Sequence, residues 1–254
     1  MKISVITVVY NRVHTVEKAI QSVLRQDYPN VEYVVVDGGS TDGTLAILHR
    51  YMDRIQQFVS GPDEGLYDAL NKGIRLATGD VVGILHADDW FAGEGILSAI
   101  SRAFAAEPSP EAVYGDIAFI KAGTEQRVVR YYSSARFTPS LLNRGYIPAH
   151  PSFFCRRDCF ERYGYYKTHY EIAADYELFL RFFTVHQLKA AYLPLRVTNM
   201  NPGGKSTSGL QSTLRINREI LQACRENGVR TNYFKLYSRY FFKWSEFFIQ
   251  REKR

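Results

Sequence analysis

Val31-Glu32-Tyr33-Val34-Val35-Val36-Asp37-Gly38-Gly39-Ser40-Thr41-Asp42-Gly43 is the stretch that decides the fold. Its first six residues, rich in β-branched side chains, read as a buried strand. The strand stops at an acid- and glycine-rich turn, in which Thr41 or Asp42 is expected to cap the next element. That element is helical, through Leu45, Ile47, Leu48 and Tyr51. The same strand-then-helix order occurs on both sides. Upstream, the apolar run Ile3 to Val9 is broken by Tyr10-Asn11-Arg12, and Val16, Ala19, Ile20, Val23 and Leu24 then recur at helical spacing. Downstream, residues 66–77 read as a helix and Val81 to Leu85 as a short strand ending at His86-Ala87-Asp88-Asp89. Alternation at this spacing implies an α/β class with a mainly parallel sheet and helices on both faces.

In such sheets ligands bind beyond the carboxyl ends of the strands. The polar clusters fall at those ends: Asn11-Arg12, Asp37 to Asp42, Asp63-Glu64 and Asp88-Asp89. One shared crevice explains all four, whereas independent surface loops would not need acids at every strand end. After about residue 110 the alternation loosens, as expected where an acceptor side is built. Ala173 to Arg181 begins a helix on which Leu178, Phe182 and Val185 are expected to share a face, and 202–209 is the most flexible stretch.

The 254 residues are 46% apolar and 23% charged, which fits a globular protein with a substantial core. Cys155, Cys159 and Cys224 form no CxxC pair and read as ordinary buried thiols of a reducing compartment. The N-terminus has no signal-peptide pattern, and no run approaches the roughly 20 apolar residues that span a bilayer. A cytoplasmic location, or one on the inner face of the membrane, is the expectation. Lys and Arg outnumber Asp and Glu by 32 to 26, a net +6. The excess gathers in residues 225–254, one helical region without a nucleic-acid-binding motif, so nucleic acid is not the expected partner.

Asp88-Asp89 at a strand end is the sharpest chemical element. A hard cation held by one or two carboxylates, with phosphate oxygens completing its shell, would neutralise a departing diphosphate. An isolated Asp-Asp more often opens a solvated helix. With Asp37 and Asp42 expected in the same crevice, the metal reading takes precedence. Asp37, last in a buried strand, is expected to accept a hydrogen bond from a base imide or a ribose hydroxyl.

These pieces together resemble glycosyltransferase family 2. The matching residues are Ser4 to Asn11, Val35 to Thr44, Asp63 to Gly73, Ala77 to Asp80, Ala87 to Asp89 and Ala174 to Arg181, spanning about residues 2–200. Each motif alone is weak, but their order and spacing are specific. The resemblance implies the nucleotide-binding sandwich of the GT-A type, residues 1–209, with a nucleotide-binding part (1–115) and an acceptor part (116–209). C-terminal amphipathic helices over 210–254 would follow. It implies a metal-dependent inverting transfer, with Mn²⁺ or Mg²⁺, from a nucleotide sugar, by family habit a UDP-sugar. The acceptor would be a hydroxyl of a glycan or polyprenyl-linked glycan, and the block from Asp63 to Gly73 looks most like members that build bacterial surface polysaccharides.

By the same resemblance Thr7, Tyr10 and Asn11 border the base, Asp37 contacts base or ribose, and Asp68 belongs to the donor site. Asp88 and Asp89 hold metal, diphosphate and ribose. Asp175 is the general base, with Arg181 one turn later as its partner; its structural alternative is a helix cap. Two departures stand out: Gly38 and His86 occupy positions where the family often carries acids. His86 would donate to ribose or sit near the metal, or else be a packed surface histidine. His150 would help place donor sugar or acceptor, or be structural. Lys205 and Ser206 in the 202–209 loop would meet phosphate as the loop closes over donor. Finally, Tyr233, Leu236, Tyr237, Tyr240, Phe241, Trp244, Phe247 and Phe248 form a helical stripe opposite Lys235, Arg239 and Lys243. Such a helix lies on an anionic membrane, on a second subunit as a homodimer, or on its own domain.

Overall fold

Strand β1 (Ile3–Val9) is buried along its whole length, as a β-branched run must be when helices cover both sheet faces. It pairs in parallel with β2 (Val31–Asp37) from Ile3↔Val31 to Val9↔Asp37, so the two strands end level and their loops open on the same side. The structure, a computed structural model, describes residues 1–121, 127–202 and 210–237. Helices α1 (Val16–Leu24), α2 (Thr44–His49) and α3 (Leu66–Leu76) follow β1, β2 and β3 (Gln57–Ser60). Parallel pairing extends to β2–β3 and to β1 with β4 (Val81–Ile84). The expected α/β architecture is the one observed.

Beyond β4 the sheet becomes mixed. The order is β3-β2-β1-β4-β8-β6-β9-β5, with β7 (Val128–Tyr132) on β6. Here β5 is Asp89–Phe91, β6 Ala112–Ile120, β8 Phe154–Arg156 and β9 Ala190–Met200. Helix α4 (Ile96–Phe104) lies between β5 and β6. Strand β8 enters antiparallel to β4, and the Phe154 ring lies where a side chain on Gly83 would be, with a Cβ there only 2.1 Å from it. A glycine is required at that close approach.

At the opposite strand ends, Glu32 is buried beneath a ring of donors. Lys2 Nζ (2.8 Å), Thr78 Oγ1 (2.6 Å), Thr78 N–H (2.8 Å) and the Ser4 hydroxyl all donate to its carboxylate. Burial alone would raise its pKa, but the donors from Lys2, Ser4 and Thr78 outweigh it and hold the group at about 2. Folding therefore gains from ionised Glu32 above the ordinary glutamate range, and the gain is lost as pH falls toward about 2. Glu32→Ala is expected to destabilise the protein by about 3 kcal/mol at pH 7, since a buried donor set loses its partner. Urea melts should show the gap to wild type narrowing as pH is lowered to about 3, and an unchanged gap would contradict this account.

Contacts divide the chain into two units. One comprises Met1–Arg136, Pro148–Thr168 and Leu188–Pro202; the other comprises Phe137–Ile147, His169–Gln187 and Gly203–Arg254. The expected internal boundary at 115/116 instead falls inside β6, because strand pairing through β6, β8 and β9 carries the first sheet far into the supposed acceptor part. In the second unit, α6 (Ala174–Leu180) runs into a π-helical turn, Arg181–Val185, closed by His186 N–H to Arg181 C=O at 3.1 Å. The wider turn rotates Val185 off the apolar face: Leu178 and Phe182 are buried, but Val185 is 49% exposed. Helix α7 (Leu210–Glu226) packs beside α6, with the Tyr176 hydroxyl 3.1 Å from Cys224 Sγ. A short helix, α5 (Arg157–Tyr163), belongs to the first unit. All three cysteines are free and buried. No helix among the described residues is long and apolar enough to cross a membrane.

Candidate functional site

The loops after β1 and β2 are stitched into one wall. Asn11, in the left-handed region at φ 50°, donates its N–H to Ser40 Oγ (2.9 Å) and accepts the Thr41 N–H on Oδ1 (2.9 Å); Asn tolerates this backbone better than most residues. Asp42 accepts the Val13 and Thr44 N–H groups at 3.1 and 3.0 Å, so it ties the start of α2 to the first loop; the N-cap itself is Gly43, in the left-handed region at φ 97°, rather than Thr41 or Asp42. The pKa of Asp42 is lowered, chiefly by the Thr44 hydroxyl.

This stitching changes two expectations. Asp37 is 1% exposed, and its carboxylate is taken up by Gly39 N–H (3.1 Å), Ser40 N–H (3.1 Å) and Ser60 Oγ (2.6 Å). It organises the loop rather than presenting an open acceptor. Thr7 is wholly buried and accepts the Tyr33 hydroxyl at 3.1 Å, because it lies inside β1 rather than at its end. Asp68 also has structural partners: Lys72 Nζ at 2.8 Å, which chiefly lowers its pKa, and the Glu64 N–H at 3.1 Å.

Tyr10 remains open, 58% exposed at the end of β1. Beside it lies Asp63, a carboxylate that motif matching left without a role. A Cβ placed on Gly38 would stand 2.5 Å from Asp63 Oδ2 and 3.5 Å from the Tyr10 ring. The glycine that departs from the family pattern thus gives room to an acid from the next loop. The signal legible in sequence was the small residue at 38 followed by an acid at the third strand end.

At the end of β4 the two acids separate. Asp88 faces solvent, its side chain 41% exposed and Oδ2 4.0 Å from Arg12 Nε. Its backbone carbonyl accepts Asn201 Nδ2 at 2.9 Å. Asp89 opens β5, opposite Met200, and is 2% exposed, with Oδ2 lacking a hydrogen-bond partner among the described residues. Burial, then the neighbouring Asp88 charge, pushes its pKa well up. Among the described residues no three His, Cys, Asp or Glu side chains gather as a complete metal cage. A divalent cation that takes most of its oxygens from a diphosphate needs only one or two carboxylates. An open Asp88 backed by an unsatisfied buried Asp89 fits that demand.

A ring of aromatic side chains continues from this point. His86 stacks on His150, with centroids 5.9 Å apart at 27°. His150 Nε2 lies 2.8 Å from the Tyr166 hydroxyl, and Tyr166 stacks on Tyr67 of α3. Asn71 clasps the Tyr166 backbone, accepting its N–H at 3.0 Å and donating to its carbonyl at 2.8 Å. Burial keeps both imidazoles neutral, with His150 at about 3 through burial and then His86. His86 and His150 are therefore joined parts of one packed assembly next to Asp88, and Tyr166 is the member that sequence reading missed.

In the second unit, Asp175 lies in the first turn of α6, half-buried, with Oδ1 accepting the Tyr176 N–H at 2.7 Å. Burial, opposed by the backbone hydrogen bonds, raises its pKa to about 6. The expected pairing with Arg181 is not formed. Arg181 instead binds Glu177 at 3.0 Å, one turn earlier on the same face, and Glu177 is wholly buried with Asn227 donating to it at 3.2 Å. Glu177 is thereby committed to structure, and Asp175 has no cation partner among the described residues. Lys205, Ser206 and the tail from 238 onward lie outside the described residues; of the aromatic stripe, Tyr233 and Tyr237 are exposed and Leu236 is buried.

Comparison with known proteins bears on this arrangement. The sequence profile described as Glycosyl transferase family 2 matches residues 4–164. A PGL/p-HBAD biosynthesis glycosyltransferase of Mycobacterium bovis is 32% identical over 223 residues, covering 86% of this chain and 82% of the relative. Among solved structures, Staphylococcus aureus TarS 1–349 in complex with UDP-GlcNAc superposes with a TM-score of 0.68 at 18% identity, covering 91% of this chain and 68% of that one. The mannosyltransferase PcManGT from Pyrobaculum calidifontis, in complex with GDP-Man and Mn²⁺, gives 0.61 at 20% identity, with 89% and 63% covered. At these identities the two structures speak to fold.

Proposed function

Because the chain belongs to glycosyl transferase family 2 and is a glycosyltransferase of the GT-A type, we propose that it transfers a sugar from a nucleotide-sugar donor to an acceptor hydroxyl with inversion at the anomeric carbon. The observation that carries this reading is Asp175, a half-buried carboxylate without a cation partner among the described residues, whose pKa of about 6 suits a base working near neutral pH. It would take the proton of the acceptor hydroxyl as the oxygen attacks, in one displacement without a covalent intermediate. The test is Asp175→Asn with the product anomer read by NMR, and a retained configuration would overturn the assignment.

On the donor side, Asp88 would hold Mn²⁺ or Mg²⁺, with Asp89 behind it, and such an ion would neutralise the departing diphosphate. Arg12 would face the same charge. Tyr10 offers an exposed ring for a base to stack on, and the neighbouring Asp63 carboxylate can accept an imide N–H. Uracil carries that donor and cytosine does not; a UDP-sugar is the donor proposed, in keeping with the UDP complexes of TarS. Asp63→Ala is expected to weaken UDP binding about 10–150-fold while leaving CDP binding unchanged, as measured by calorimetry, since one charge-assisted hydrogen bond contributes about 1.5–3 kcal/mol. Equal loss for both nucleotides would contradict the role. His86, held by the stack that runs through His150 to Tyr166, would lie against ribose or donor sugar.

The acceptor would be a glycan or lipid-linked glycan of the cell envelope; the mycobacterial relative is named for PGL/p-HBAD biosynthesis. The exposed Tyr233, Phe234 and Tyr237 beside Lys235 suit contact with an anionic membrane surface carrying such an acceptor.

A further inference from the structure

Glu219 lies midway along α7, half-buried, and takes part in none of the chemistry above. Its carboxylate accepts three consecutive backbone N–H groups: Glu171 at 3.1 Å, Ile172 at 3.0 Å and Ala173 at 2.8 Å. These are the last residues before α6. The residue preceding that helix is Ala173, which has no side chain able to cap it. A carboxylate borrowed from α7 therefore does what a local Ser or Asp does elsewhere, and it anchors the chain two residues before Asp175.

We propose that Glu219 is a positioning residue for the reaction: by gripping the three N–H groups that lead into α6, it fixes the place and the electrostatic surroundings of the Asp175 carboxylate. The inference rests on the reading of Asp175 as the base. Among the described groups Glu219 is the one whose charge bears on Asp175, in the direction of greater proton affinity. Among the described cations of this unit, Arg181 pairs with Glu177, Arg215 with Glu171, and His169 with Glu226 at 3.5 Å. None of these cations pairs with Glu219.

A glutamine at 219 keeps the size and one acceptor oxygen, loses the charge, and turns an amide N–H₂ toward N–H groups that need acceptors. The experiment measures kcat, donor KM and the pH profile of kcat for Glu219→Gln and Glu219→Asp. Calorimetric donor binding counts the competent molecules, and Asp175→Asn is run alongside. The expected result for Glu219→Gln is a kcat lowered about 10–100-fold at neutral pH, since small misplacement of a reacting group carries losses of that order. Donor KM should hardly change, and the acid limb of the profile should move to lower pH. Glu219→Asp, which keeps the charge, should leave that limb near its wild-type position. An unchanged kcat and limb in Glu219→Gln would overturn the inference. So would a fall in kcat matched by the loss of competent molecules with the limb in place, which is the mark of a structural role alone. If Asp175→Asn itself retains turnover, it is the reading of the base that fails.

Discussion

Asp175→Asn is expected to lower kcat by about 10²–10⁴-fold and to leave donor binding nearly unchanged. Asparagine keeps the size of the side chain and can still accept the Tyr176 N–H, so the geometry of the first turn of α6 is preserved while basicity is lost. The sign of the pH dependence follows from the direction of the shift. Burial raises Asp175 to about 6, and the base works only when ionised, so wild-type kcat should rise through about pH 6 and level off above it. The variant's residual activity should lack that limb. Stability runs the other way. An acid whose folded pKa is raised favours the folded state at low pH, and this contribution is lost as pH rises through about 6. The Asn variant should accordingly melt no lower than wild type at pH 7.5, which separates lost chemistry from lost folding. Near-normal turnover in the variant would move the base role to another group. Glu177 would be a poor successor, because Arg181 and Asn227 already hold it.

The second large effect is at Asp88. Replacing it with Asn should reduce transfer by about 10³-fold or more, because a cation's stabilisation of developing charge amounts to several kcal/mol, and each 1.36 kcal/mol is a factor of ten. The same change should abolish the rise in melting temperature that a UDP-sugar with Mn²⁺ gives the wild type, and EDTA should have the same effect on the wild type. Asp89→Asn is the informative companion. Asp89 is buried, and its Oδ2 has no hydrogen-bond partner among the described residues. If it serves only as a wall, its variant keeps metal-dependent donor binding; if it ligates, the dependence disappears as it does for Asp88. Full Mn²⁺-dependent stabilisation in Asp88→Asn would remove Asp88 from the metal site.

The α/β architecture is legible in the order of the residues. Ile3–Val9 and Val31–Asp37 read as buried parallel strands, because β-branched residues stand on both of their faces, and the polar turns that follow them then fall together at their carboxyl ends. The sequence also marked Tyr10, Asp88 and Asp175, since a strand or helix terminus is a local feature with a local signature. What neighbours do to a side chain is not local, and it follows from how the elements pack. Asp37 and Thr7 look like ligand contacts as letters, yet packing encloses both, with Ser60 and Tyr33 as their partners. Asp63 gains its place beside Tyr10 because Gly38, one strand away, leaves the space. Arg181 turns to Glu177 because four residues of helix bring those two together, and Val185 leaves the core because a π turn adds a residue to the register. Glu219 reaches the lead-in to α6 from 46 to 48 residues further along the chain. A hydrogen bond between groups so far apart in sequence depends on how two helices pack, and no spacing rule encodes that.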